Sequence, residues 1–76
     1  MNLFNLKVGQ KCLIDKVYEN GNIKRRLLDI GLIENTAVEC VGISPLGDPK
    51  AFLIRDAVIA LRKSDCSNIS IKDLVV

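Results

Sequence analysis

Two prolines and a glycine within Ser44-Pro45-Leu46-Gly47-Asp48-Pro49 set the tightest limit on this chain. Each proline fixes φ and removes a backbone donor, and the glycine between them frees the backbone to reverse. A strand ladder cannot run through such a stretch, so the chain must turn here. Strand-like runs flank it. Thr36-Ala37-Val38-Glu39-Cys40-Val41-Gly42-Ile43 lies before it and Ala51-Phe52-Leu53-Ile54-Arg55 after it. A stiff loop joining two strands is the centre of a small barrel, and loops of that kind carry contacts with partners.

Alternation places the remaining strands. Residues 11–18 form a first strand with Cys12 and Ile14 on one face; Val17 falls out of phase, which predicts a bulge near Asp15-Lys16. Asn20-Gly21-Asn22 breaks that strand, and Asn22 is expected to cap a helix running to Ile30. In the helix Ile23, Leu27 and Ile30 make an apolar stripe extended by Leu28; Lys24, Arg25 and Asp29 face away, Arg26 lies nearer the barrel, and Gly31 stops the helix. Val38, Cys40, Phe52 and Ile54 point inward, with Glu39 and Arg55 outward. Arg55-Asp56 reads as a two-residue hairpin into a fourth strand, residues 58–62, with Ile59 and Leu61 inward. One helical turn near residues 63–67 precedes a last strand, residues 69–72. Leu3 and Leu6 are expected to pack the N-terminus onto the barrel, and the apolar tail Leu74-Val75-Val76 to finish the core. The expected fold is mainly β: a small, partly open barrel of about five strands, with one helix between the first two and a short helical turn before the last.

The 76 residues suit one domain, 1–76. With 49% apolar and 4% aromatic residues, the core must be aliphatic, which leaves little to line a large ligand cavity. Net charge is only +2, whereas a nucleic-acid binder needs a clearly basic face interleaved with aromatics. Cys12, Cys40 and Cys66 are odd in number and widely spaced, which fits buried reduced thiols better than a disulfide framework. No run reaches the ~18 apolar residues of a membrane span, and the N-terminus lacks the order of a signal peptide, so the expectation is a soluble cytoplasmic protein.

Catalytic chemistry is thin. The chain has no histidine, no Cys-x-x-Cys and no glycine-rich phosphate loop. No nucleophile has a base beside it, so no catalytic residue, metal ligand or cofactor is assigned. A site built from Cys12, Cys40 and Glu39 would need all three to converge across strands. What remains is surface: the loop Pro45-Leu46-Gly47-Asp48-Pro49, the outward apolar pair Leu13 and Leu53, and the basic helix face of Lys24 and Arg25. These are the candidate partner-binding residues. Arg25 is also the exposed candidate for an arginine finger. The expected state is a monomer, although an open barrel with a bare strand edge is able to self-associate.

The assembled pattern resembles the FeoA family of ferrous-iron transport accessory proteins. The resemblance rests on Arg26-Leu27 followed by Asp29-Ile30-Gly31-Leu32, on Pro45-Leu46-Gly47-Asp48-Pro49, and on Ala60-Leu61-Arg62-Lys63 leading to Cys66 and Ile69-Ser70-Ile71. Two turns depart from the family pattern: Glu34-Asn35 stands where Pro-Gly is usual, and Asp56 where Gly is usual. Asn and Asp tolerate positive φ better than other non-glycine residues, so both turns are expected to survive. The resemblance implies an SH3-like barrel in a bacterial cytoplasm, an association with transition-metal ions to which no residue here is assigned, and partnership with the FeoB-type ferrous-iron transporter. The competing reading is a small-barrel module that binds nucleic acid or another protein.

Overall fold

The computed structural model describes residues 1–18 and 21–75. Asn20 and Val76, which figure in the sequence expectations, lie outside them. Five strands form one antiparallel sheet: β1 (Lys11–Val17), β2 (Ala37–Ile43), β3 (Lys50–Ile54), β4 (Ala57–Leu61) and β5 (Ile69–Val75). Their spatial order is β4-β3-β2-β1-β5. Helix α1 (Gly21–Asp29) joins β1 to β2, and α2 (Lys63–Cys66) is the single turn before β5. The sheet curls around an aliphatic core that includes Ile14, Leu27, Leu32, Val38, Phe52, Ile54 and Ile69, with Leu3 and Leu6 at its N-terminal end.

Local chemistry explains most element ends. At the end of α1 the Gly31 N–H donates to the Leu28 carbonyl (2.9 Å) and the Leu32 N–H to the Leu27 carbonyl (2.9 Å). That is a Schellman cap, which needs positive φ; Gly31 has φ +93°. Its apolar contact is present too, because Leu27 and Leu32 are both fully buried. The two departures from the family pattern hold as turns, with Asn35 at φ 69° and Asp56 at φ 67°. Arg55 also has positive φ, 48°, because a two-residue hairpin of this type needs it at both positions. The expected bulge sits at Asp15: Ile14 pairs with Ile71 and Lys16 with Ser70, leaving Asp15 unopposed. The Ser70 hydroxyl donates to the Asp15 carboxylate (3.2 Å) and accepts from the Lys16 N–H (3.1 Å).

Three expectations change. Helix α1 begins at Gly21, whose φ of +62° makes the entry turn, so Asn22 lies inside the helix instead of capping it. The apolar stripe is only partly used: Leu27 is buried and Ile30 half-buried, but Ile23 and Leu28 are each 43% exposed. At about two and a half turns, the helix meets the curved sheet along too short a line to bury both ends. Leu74 and Val75 do not enter the core. Leu74 and Val75 extend β5, Val75 pairs with Lys11, and both side chains stay exposed.

One lysine closes the N-terminal end of the barrel. A short 3-10 turn (Leu3–Asn5) is capped by the Asn2 side chain, which accepts from the Phe4 N–H, while the Asn5 side chain accepts from the Asn2 N–H. Lys50, the first residue of β3, donates its ammonium to the carbonyls of Phe4 (2.6 Å) and Leu6 (3.1 Å). The same Nζ sits 4.4 Å from the centre of the Phe4 ring, a cation–π contact. Lys50→Met keeps the apolar stem and removes the donor. Hydrogen bonds to a charged group are each worth roughly 1.5–3 kcal/mol, so the variant should lose about 2–3 kcal/mol in urea unfolding. Lys7→Met, on an exposed side chain, should change stability by less than about 0.5 kcal/mol.

All three cysteines are free and buried. Burial raises the Cys12 thiol from 9.0 to about 11. Burial, then the Asp65 and Asp48 carboxylates, raise Cys66 to about 12. The unfolded chain therefore releases these protons first, and the native state keeps them. Stability is fully present below pH 9 and falls as pH climbs from there toward the folded values of about 11 and 12. Between pH 8 and about pH 10 each thiol should cost on the order of 1 kcal/mol. Urea unfolding under reducing conditions checks this: Cys12→Ala/Cys66→Ala should start less stable and show a flatter decline over that range.

Candidate functional site

A concavity lies on the outer face of the sheet. It is a groove of about 510 Å³ between the turn after α1, the start of β2 and the β3–β4 hairpin. Its walls include Ile33, Ala37, Leu53, Lys11, Glu39 and Arg55. Strand pairing sets this surface. Lys11 opposes Glu39 across β1 and β2, and Glu39 opposes Leu53 across β2 and β3. One acid, one base and one half-buried leucine thus lie in a row across three strands. Arg55 forms the rim, and its stem packs on the helix cap. A Cβ on Gly31 would fall 2.4 Å from the Arg55 Cδ, so only glycine leaves room for that side chain. The groove has an apolar floor with charges of both signs at its edge, which suits a short peptide segment.

The sequence-derived candidates fall in three places. Leu53 lines the groove. Leu13 shares its face on β1, opposite Ala37, and is half-buried. Strand β5 runs beside Leu13, with Lys72 as its partner. Lys24 lines a second hollow of about 250 Å³ with Tyr18 and Leu28, and Arg25 is exposed on the same helix. Arg26 also reaches outward, 3.9 Å from the Asp65 carboxylate in α2.

Pro45-Leu46-Gly47-Asp48-Pro49 lies at the other end of the β2–β3 pair from the groove. Four strand residues, 40–43, lie between Glu39 in the groove wall and Ser44 at the start of the loop, roughly 15 Å of chain. The loop is well tied. The Gly47 N–H donates to the Ser44 carbonyl (2.7 Å) and the Ser44 N–H to the Pro49 carbonyl (3.0 Å). The Asp48 carboxylate accepts from the Lys63 N–H (3.0 Å) and so caps α2 from a distance. Leu46 is left 94% exposed at the tip.

The sequence does not mark Lys11, Glu39, Ile33 or Arg55 as partner-binding residues. Alternation does mark Glu39 and Arg55 as outward. What joins them to Lys11 and Ile33 is strand register between distant segments. Glu39 and Cys40 face opposite sides of β2, so Cys12, Cys40 and Glu39 cannot converge. Among the described residues no three Cys, Asp or Glu side chains gather where they could hold a metal ion. No described helix is long and apolar enough to cross a membrane.

Comparison with known proteins places this geometry. The FeoA domain family matches residues 1–73. Iron(II) transport protein A of Clostridium thermocellum has the same fold at a TM-score of 0.90 and 29% identity, over 95% of this chain and 44% of that one. FeoA of Chlorobium tepidum gives 0.87 and 27%, over 93% and 68%. FeoA of Stenotrophomonas maltophilia, crystallised with zinc and described as a prokaryotic SH3 domain protein, gives 0.84 and 25%, over 95% and 89%. A fusion of Fe(2+) transport protein A with the Fe(2+) transporter FeoB from Porphyromonas gingivalis is 29% identical over 72 residues. That match takes in 95% of this chain but 8% of the fusion's length. A family match over nearly the whole sequence, on an open five-stranded SH3-like sheet, makes this chain a member of the FeoA domain family.

Proposed function

We propose that this chain is a non-enzymatic accessory of ferrous-iron uptake, binding a FeoB-type transporter on its cytoplasmic side and modulating it. One observation carries the reading: a relative at 29% identity has this domain and the transporter in a single polypeptide. Fusion keeps two parts at high effective concentration, which is useful where they touch. The chemistry agrees. The three thiols are buried and two of them are held protonated, while the surface offers an apolar-floored groove and a rigid loop. A domain of this kind acts by binding one state of its partner better than another. The groove around Leu53 is the leading docking face. Leu13, the basic pair Lys24 and Arg25, and the loop Pro45-Leu46-Gly47-Asp48-Pro49 are the further contact candidates.

Amide shifts of the labelled chain should be followed during titration with the transporter's soluble GTPase domain, with and without nucleotide, and then with the whole transporter in nanodiscs. Shifts should concentrate on residues 37–39 and 53–56. Leu53→Glu should weaken binding by roughly tenfold or more, as loss of a central apolar anchor does. Shifts confined to residues 44–50 would move the docking face to the loop. Absence of binding to the whole transporter in every nucleotide state would sink the proposal.

A further inference from the structure

The two edges of the sheet are treated differently. Beyond β5 the chain protects itself: Asn2 bridges to Ser70, and the Ile71 N–H donates to the Met1 carbonyl. Asp73, at φ 52°, also kinks that strand. Such devices are how sheets blunt an edge. Among the described residues no strand follows beyond β4. Its sequence, Ala57-Val58-Ile59-Ala60-Leu61, has no charge and no proline, and Val58 is 66% exposed.

The hairpin fixes which backbone groups point out of that edge. Ile54 and Ala57 flank the two-residue turn and exchange hydrogen bonds. Alternation then turns the N–H and C=O of Val58 and Ala60 away from β3. Among the described residues no backbone group meets them.

We infer that the β4 edge is a pairing site for a second copy of this chain, joined antiparallel with Val58 opposite Ala60 of the other copy. This register brings Ile59 opposite itself and satisfies all the outward groups, with roughly four interchain hydrogen bonds. It also sets Asp56 of each copy opposite Arg62 of the other. Both side chains are exposed, and no ion pair within the described chain uses either. Asp56 and Arg62 stand one residue beyond either end of β4, and the next pair outward, Arg55 with Lys63, is drawn aside, since Arg55 packs over Gly31 and Lys63 has entered α2. Shifting the pairing by two residues either way loses outward bonds and sets each charge against an apolar or uncharged residue. The edge is therefore self-complementary in one register. The monomer expected from sequence becomes a reversible dimer with one continuous sheet across both copies.

Sedimentation velocity on the full chain, from about 10 μM to about 1 mM, tests this. The expected result is a concentration-dependent monomer–dimer equilibrium. Arg62→Glu sets like charges opposite Asp56 at two symmetric places and should weaken the dimer roughly tenfold, and Asp56→Lys added to it should restore most of the loss. Ala60→Pro removes an N–H that no intrachain bond uses, and should abolish dimerisation. Circular dichroism shows that each variant is folded, and the charge-swap pair decides the matter if the proline variant is not. Ile59→Cys should form a self-disulfide faster than Val58→Cys, which reads the register. A monomer at every concentration would overturn the inference. So would a dimer indifferent to the charge swap, or open-ended oligomers built from β4 on β5.

Discussion

The ammonium of Lys50 ties together parts of the chain that sequence keeps far apart. It begins β3, directly after Pro49, so the rigid loop decides where it stands. From there it holds the carbonyls of Phe4 and Leu6 and faces the Phe4 ring. Those contacts fix the 3-10 turn that seats Leu3 and Leu6 in the core. A 76-residue domain has little core to spare, so two fully buried leucines matter. The same turn positions Met1 and Asn2 against β5. Loop, N-terminus and one sheet edge therefore form a single linked unit. Its consequence is an asymmetry: the β5 edge is covered by the chain's own beginning, and the β4 edge is not.

Much of this fold was legible because short-range rules governed it. Alternation placed Cys12, Ile14, Val38, Cys40, Phe52 and Ile54 inward, and all are buried. Asn35 and Asp56 took the positive φ that their residue types allow, and Gly31 took the cap. The misses arose where tertiary context decided. Nothing local distinguishes Leu74 and Val75 from core residues; they stay outside because β5 continues beside β1. Ile23 sits on the correct helix face, yet within α1 only Leu27 is buried. Arg55 is a poor residue for positive φ, and its place follows from hairpin geometry and the space over Gly31. A lysine after proline reads as surface, so the Lys50 clamp was invisible without the N-terminus beside it.

The candidate site was less legible than the fold, for the same reason. The groove draws on residues near 11, 33–39 and 53–56, which only strand register brings together. Leu53 was found because its outward apolar side chain is anomalous by alternation. Lys11 and Glu39 look like ordinary solvated charges until they are seen facing each other across the groove floor. The basic helix pair and the proline loop were correctly read as exposed, but they lie in separate places and do not make one surface.

The hairpin at Arg55-Asp56 is where these surfaces meet. Both residues line the groove, and Asp56 directly precedes the β4 edge that would face a second copy. The hairpin is strained in backbone terms, with positive φ at two non-glycine residues, and it is held by the packing of Arg55 on the α1 cap. A ligand that shifts Arg55 must disturb either that cap or the turn. Occupation of the groove and pairing at the edge would then each change the free energy of the same few residues. By linkage, any effect of one on the other is reciprocal. A small barrel with no catalytic set would thus have a physical route to couple partner binding to its own association: one strained turn shared by two interfaces.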